Sequence, residues 1–228
     1  MLIYAHRGAS KDYPELTEAA YRGAVEQGAD GFECDVRLTR DEIPVLWHNA
    51  SMQEIASHPG LISEMSYQEI KGIYPDVLTL DDFLDLAITF KKSVLIETKH
   101  PVITGNRIEE VVVKILRDRK VLESIGVSVM SFSWSAIEKM RKLDSTIPTT
   151  LLLGGRTRWF HARFSSATTI APSISQLRTH PELISKIEAL AKSSAIWTVD
   201  DGEDVQMCAA LGVDALITNM PARARSFL

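Results

Sequence analysis

Short apolar runs alternate along the chain with stretches whose apolar residues recur every three or four positions. The short runs predict strands at Leu2–Ala5, Gly31–Val36, Val94–Thr98, Val127–Ser131, Thr149–Leu153, Thr168–Ala171, Ala195–Val199 and Ala215–Thr218. The stretches between them predict helices. Residues 106–117 gather Ile108, Val111, Val112, Ile115 and Leu116 on one face, and residues 179–192 gather Leu183, Ile184, Ile187, Leu190 and Ala191. Asn106 with Glu109, Ser135 with Glu138 and Thr179 with Glu182 have capping-box spacing. Gly28, Gly126 and Gly212 stand where helices should stop. Strand starts fall mostly about 20 to 30 residues apart, the spacing of βα units, so the strands should be parallel. A single α/β domain over residues 1–228, closed as a (β/α)8 TIM barrel, fits this rhythm; a doubly wound open sheet is the runner-up.

One segment breaks the rhythm. Pro44-Val45-Leu46-Trp47-His48 also reads as a strand, yet only residues 39–43 separate it from the second strand. A parallel crossover needs a dozen residues or more, so this pair should be a β-hairpin turning near Asp41-Glu42. The return strand would carry His48 back towards Glu33 and Asp35. The hairpin opens a small insertion, about 39–90, with short helices expected at 66–73 and 79–87.

The bulk numbers narrow the class. At 228 residues, 45 % hydrophobic and 24 % charged, the chain is ordinary globular protein. A net charge of −5 argues against a nucleic-acid binder. No run approaches the roughly 18 apolar residues of a membrane span, and the start Leu2-Ile3-Tyr4-Ala5 lacks the basic region of a signal peptide. Cys34 falls mid-strand and Cys208 on a helix face, as small core residues in a reducing compartment. A cytoplasmic protein is expected.

The chemistry is concentrated at strand ends. In Gly31-Phe32-Glu33-Cys34-Asp35-Val36, Glu33 and Asp35 share one face of the strand while Phe32, Cys34 and Val36 pack the other. Adjacent like charges on a buried face repel, and a cation between them is the simplest remedy. The active site of such a barrel lies at the C-terminal ends of its strands. The first strand ends at His6-Arg7-Gly8, the hairpin delivers His48, and the third barrel strand ends at Glu97-Thr98-Lys99, with Glu97 and Lys99 on one face. Structural readings exist for each: Arg7 neutralising Glu33, an inward Glu97–Lys99 pair, histidines at strand ends. Gathering all seven at one mouth is costly, because buried charges need compensation. Three carboxylates without sulfur suit a hard cation, Mg²⁺ or Ca²⁺, with a mixed His/Asp/Glu zinc site as the alternative. Arg7 and Lys99 suit an anionic group, most naturally phosphate. Two histidines suit a base and an acid at neutral pH. Together these groups point to phosphoester hydrolysis or cyclisation.

At these residues the chain resembles the glycerophosphodiester phosphodiesterase family. The resemblance rests on His6-Arg7-Gly8-Ala9, Pro14-Glu15-Leu16-Thr17, residues 31–36, Pro44–His48, Glu97-Thr98-Lys99, Ser131-Phe132, Trp197-Thr198-Val199 and Thr218-Asn219-Met220-Pro221, in family order from residue 6 to 221. It implies a TIM-barrel enzyme that cleaves a small-molecule glycerophosphodiester to sn-glycerol 3-phosphate and an alcohol. It implies a divalent cation on Glu33, Asp35 and Glu97, acid/base catalysis by His6 and His48, phosphate contacts from Arg7 and Lys99, with Glu15 beside them, and Trp197 on the glycerol side. The resemblance also implies that the glycerol 2-hydroxyl can act as nucleophile through a cyclic phosphate. Two other readings use the same centre: a phospholipase D-like or lysophospholipase D-like enzyme with peripheral lipid contact, or a degenerate barrel that only binds phosphate.

The chain departs from the family pattern in places. Leu16 stands where an Asn is usual, Asn49 where an Asp follows the second His, and Asn219 where an Asp is usual near the end; Gln53-Glu54-Ile55-Ala56 replaces a Thr-rich run. Residues 154–164 combine three Arg with Trp159, Phe160 and Phe164. A short helix packing its aromatics on the barrel with the Arg solvated is expected, with a grip on a headgroup, an anionic lipid surface or a partner as the alternative. Trp47 and Trp134 are expected to pack, and His58, His100, His161 and His180 to lie on the surface.

Overall fold

Nine strands organise the computed structural model, which describes residues 1–154 and 159–228. They are β1 (Leu2–His6), β2 (Gly31–Leu38), β3 (Pro44–Leu46), β4 (Ser93–Thr98), β5 (Val127–Ser131), β6 (Thr149–Leu152), β7 (Thr169–Ala171), β8 (Ser193–Ile196) and β9 (Ala215–Thr218). Neighbours run parallel from β2 through β4 to β9, and β1 pairs with both β9 and β2, which closes an eight-stranded barrel. The open-sheet alternative is thereby excluded. β3 lies outside the ring as an antiparallel partner of β2, with Leu38 opposite Pro44 and Val36 opposite Leu46. The hairpin inferred from loop length is present, and its tip uses Glu42 at φ 59°.

Strand alternation sorts the two faces. Phe32, Cys34, Val36, Val94 and Ile96 join Leu84, Val112 and Leu116 of the surrounding helices in the main core cluster. The opposite parity supplies a cluster built from strand residues: Tyr4, Leu95, Met130, Leu152, Ala171, Ala195, Ala215 and Ile217. It fills the barrel, as the packed interior of this architecture requires. Both cysteines are buried, as expected.

Most helices form where periodicity places them, but several caps differ. Ser66 and Thr79 cap helices 67–73 and 80–89 with full capping boxes. Glu109 does not cap: it is fully buried and accepts from His100 Nε2 at 2.8 Å. Glu138 likewise serves a distant segment, accepting from the Ser166 N–H, and Ser133 caps helix 134–143 in place of Ser135. The helix predicted over 179–192 is shorter, 183–188, and Thr179 ends a separate helix, 174–179, instead of capping the next, with Pro181 between them. Proline cannot donate the backbone bond that a continuous helix needs. β8 covers 193–196, earlier than predicted.

The loop after β1 is drawn tightly against helix 18–26. Gly8 has φ +84°, and a Cβ there would lie 2.6 Å from Ala20, so glycine is required. This close approach brings Arg7 over the end of β2. No helix among the described residues is long and apolar enough to cross a membrane.

Candidate active site

Barrel parity places the ionisable residues one layer above Tyr4 and Leu95. Glu33 and Asp35 on β2 and Glu97 on β4 are 2 %, 0 % and 7 % exposed, and one oxygen from each lies within 4.8 Å of the other two. Asp35 stands opposite Glu97 in the β2–β4 register, which is why residues so far apart in sequence meet. Lys99 Nζ lies 2.6 Å from Asp35 and 2.7 Å from Glu97; Arg7 Nε lies 2.8 Å from Asp35. Arg7 also donates to Glu15 at 2.9 Å, and its backbone N–H donates to Glu33 Oε2 at 3.1 Å. That last bond helps hold Arg7 at φ 58°, an unusual conformation for a residue with a side chain.

The carboxylates are not equivalent. Burial, then Asp35 and Glu97, push Glu33 well above the usual carboxylate range. Burial and then Asp35 raise Glu97 to about 7. Burial alone would raise Asp35 too, but Lys99 and Arg7 outweigh it and hold the group at about 2. Both Asp35 oxygens remain buried without a well-directed hydrogen bond, despite the short ion-pair distances. Buried oxygens in that condition are ready ligands, and an all-oxygen set suits a hard divalent cation. The residues therefore fit a metal site.

His6 and His48 share one design. Each ring Nδ1 lies 2.7 Å from an asparagine Oδ1, Asn219 for His6 and Asn49 for His48. An amide oxygen only accepts, so each Nδ1 carries the proton and each Nε2 is left as the basic atom. Each asparagine is oriented in turn by a carboxylate. Asn219 Nδ2 donates to Asp200 at 2.6 Å, and Asn49 Nδ2 donates to Glu54. Burial first, and then Arg7, lower the pKa of His6; burial is also the largest cause for His48. His6 Nε2 lies 4.0 Å from Glu33.

These groups converge on a pocket of about 200 Å³. His6, Arg7, Glu33, His48, Glu97 and Lys99 line one side, and Phe132, Leu152, Trp197 and Ile217 the other. Trp197 donates from Nε1 to Ala171 O at 2.8 Å and meets Phe132 edge to face, which fixes the apolar wall. Of the nine site residues named from sequence, eight are thus in or directly beside the pocket through the contacts above, and Glu15 joins by holding Arg7. Asp200 and Glu54 were missed. Asn49, a departure from the family pattern able still to hydrogen-bond the imidazole, does so, whereas Asn219 was noticed only as a departure although it is the partner of His6.

The chain matches the family model described as the glycerophosphoryl diester phosphodiesterase family over residues 6–223. It belongs to that family. It is 32 % identical over 252 residues to a probable glycerophosphodiester phosphodiesterase of Mycobacterium tuberculosis, covering 99 % of this chain and 92 % of the relative. It is 29 % identical to a glycerophosphodiester phosphodiesterase of Caldanaerobacter subterraneus, covering 96 % and 94 %. Among solved structures, the fold superimposes on a phosphodiesterase of Oleispira antarctica in complex with the product sn-glycerol-3-phosphate, with TM-score 0.85, 22 % identity, and coverage of 100 % and 96 %. A glycerophosphodiester phosphodiesterase of Thermotoga maritima gives TM-score 0.86 at 20 % identity, with coverage of 100 % and 98 %.

Outside the pocket, Trp47 packs as expected, 2 % exposed. His180 is exposed. His58 is half-buried and accepts from the Gly60 N–H. Other expectations need correction. His100 is not a surface residue, because buried Glu109 holds its ring inward. Trp134 does not pack away; it is 42 % exposed. His161 is half-buried beside it, with ring centroids 6.3 Å apart. A short helix forms at 159–164, but Phe160 and Phe164 are 68 % and 60 % exposed, and Trp159 alone of its aromatics packs on the core. Arg156 and Arg158 lie outside the described residues.

Proposed function

We propose that this protein hydrolyses glycerophosphodiesters to sn-glycerol 3-phosphate and an alcohol. The observation that carries the reading is the convergence of two imidazoles, each with Nδ1 fixed by an asparagine, on one small pocket lined by Glu33 and Glu97, with the buried Asp35 beside them. Glu33, Asp35 and Glu97 would hold the cation, Mg²⁺ or Ca²⁺. A bound divalent cation would stabilise charge on the phosphoryl oxygens and acidify the attacking hydroxyl.

Charge balance supports the assignment. Three buried carboxylates face two permanent cations, Arg7 and Lys99, and Arg7 is shared with Glu15, so the centre is left net negative. A divalent cation would offset that excess and let an anionic phosphodiester enter. Burial, and then Asp35, raise the pKa of Glu33 and of Glu97, which favours protons in the cation's place. Arg7 and Lys99 then serve the phosphate, with Glu15 anchoring Arg7, and Trp197 forms the glycerol side of the pocket.

The histidines move protons. Both are kept neutral by burial, so either Nε2 can accept a proton from the nucleophile, the glycerol 2-hydroxyl or water. The other, protonated as the anionic phosphate enters, gives a proton to the departing alcohol. When water opens a cyclic intermediate the same two groups exchange roles. The test is release of glycerol 3-phosphate from glycerophosphocholine by purified protein in Mg²⁺ or Ca²⁺, with and without EDTA. No release under any cation overturns the activity, and turnover undiminished by EDTA overturns the metal.

A further inference from the structure

Of the two imidazoles, only His6 stands in the ring of parallel strands. It ends β1, which pairs with both β2 and β9. His48 lies two residues beyond β3, a three-residue strand outside the ring. Acid/base catalysis needs a ring nitrogen within about 2.6–3.2 Å of the proton it moves, so a residue on such a segment needs a tether. Arg37 supplies one. Its Nε donates to the His48 carbonyl oxygen at 2.9 Å. Glu33, Asp35 and Arg37 are alternate residues of β2, so their side chains share one face. Arg37 is the next step outward from Asp35 in the column that builds the site. The Trp47 N–H donates to Asp35 O at 3.0 Å, so the chain is pinned to β2 just before His48 and again at His48 itself.

Charge does not explain this placement. Asp35 and Glu97 pair with Arg7 and Lys99, and no ion pair joins Arg37 to any described carboxylate. Arg37 is half-buried, and it is not among the residues that line the pocket, where Arg7 and Lys99 are. Withdrawing a guanidinium from water without a carboxylate partner is costly. What the side chain gains is one directed bond, its only hydrogen bond among the described residues. The acceptor is the backbone of the residue whose imidazole enters the pocket.

We infer that Arg37 is a positioning residue: its Nε–H fixes the His48 carbonyl, and through that backbone it sets where the His48 imidazole meets the substrate. This rests on the acid/base reading of His48 given above, and it adds a residue that contacts neither substrate nor cation. Donor and charge can be separated by substitution. Gln Nε2 is joined to Cδ as Arg Nε is, whereas Lys has a methylene at that place and its charge one atom further on. Arg37→Gln therefore keeps an N–H at the bonding position without the charge, Arg37→Lys keeps the charge without that N–H, and Arg37→Met keeps neither.

The experiment measures kcat and KM separately for the whole chain and its three variants, on glycerophosphocholine in Mg²⁺ or Ca²⁺, with the melting temperature of each. Arg37→Lys and Arg37→Met should lose about ten- to a hundredfold in kcat, the scale of misplacing a reacting group by about 1 Å, with KM within about twofold of the parent. Arg37→Gln should recover kcat to within about threefold of the parent, since a neutral amide donates the same bond. Arg37→Lys as active as Arg37→Gln, or more so, overturns the inference. A loss carried by KM places Arg37 on the phosphate and overturns it as well. If Arg37→Met does not fold, the order of the Gln and Lys variants decides alone. An active parent beside an equally active Arg37→Met overturns this inference and leaves the phosphodiesterase reading standing, whereas a parent without turnover overturns both.

Discussion

His6 Nδ1 lies 2.7 Å from Asn219 Oδ1, and Asn219 is itself fixed by Asp200. The carboxylate that would raise the imidazole's basicity is held one residue away, behind a neutral amide. The ring is therefore oriented without being charged, which suits a proton acceptor whose pKa burial already lowers. Replacing Asn219 with Leu removes the acceptor that fixes the tautomer. The kcat of the phosphodiesterase reaction should fall at least about tenfold, though less than the 10²–10⁴ that loss of an acid/base group costs. Steady-state kinetics checks this; an unchanged kcat would remove Asn219 from the machinery.

His48 offers the complementary test, because its partner Asn49 donates to Glu54 on the exposed side. Asn49→Asp brings a negative charge against the ring. A carboxylate at that distance favours the imidazolium, so the pKa of His48 rises, by about one unit or more. The limb of the pH–rate profile that titrates with His48 should move to higher pH by the same amount. An NMR titration of the imidazole resonances identifies the group, and a limb that stays in place excludes His48 from proton transfer.

The ring of strands and the parity of Glu33, Asp35, Glu97 and Lys99 were legible because a strand repeats every two residues and the barrel's core patterning leaves no other face for them. The hairpin was legible from the shortness of residues 39–43. The partner of His6 was not. Asn219 is 213 positions from His6, and they meet only because β1 closes against β9. Glu109 and Glu138 misled for a related reason. Three-residue spacing marks a local acceptor, yet both carboxylates serve distant groups, His100 and Ser166, which local spacing cannot register. Phe160 and Phe164 were expected inside on hydrophobicity alone, and a six-residue helix has too little apolar periodicity to show which side faces out.

Cation binding should release protons. Glu97, at about 7, carries a proton at pH 6 in the ion-free protein, and burial shifts Glu33 in the same direction. A cation must displace the Glu97 proton, so affinity rises with pH through about 7. Protonation of the nearby histidines acts in the same direction. Calorimetric Mg²⁺ or Ca²⁺ titration at pH 6, in two buffers of different ionisation heat, should show net proton release. Equal heats in the two buffers would contradict the three-carboxylate site.

Glu33→Gln separates stability from activity. Burial beside Asp35 and Glu97 disfavours the Glu33 charge, and the unfolded chain does not share that penalty. Above the ordinary carboxylate pKa the folded state therefore bears a cost that a neutral amide removes. In EDTA at pH 8 the variant should unfold at a higher temperature than the parent, while diester turnover in Mg²⁺ or Ca²⁺ falls at least about a hundredfold, the scale of losing a directly acting group. A lower melting temperature in EDTA would mean that Glu33 is held there chiefly by favourable contacts.

Leu16 poses the opposite balance. Its φ of 59° is the left-handed region, where asparagine is tolerated and a branched apolar residue is strained. Asparagine is also what the family pattern has at this position. Yet the Leu16 side chain is 4 % exposed and packs in the main core cluster with Ala9 and Tyr21. Relief of backbone strain in Leu16→Asn is worth about 1–2 kcal/mol. Loss of a buried leucine costs about 2–5 kcal/mol in comparable truncations, and the new amide needs partners that the cluster does not offer. Burial wins, so urea denaturation should show Leu16→Asn destabilised by about 1–3 kcal/mol. A variant as stable as the parent would show that the strain at this turn, and not the packing beneath it, sets the choice of residue.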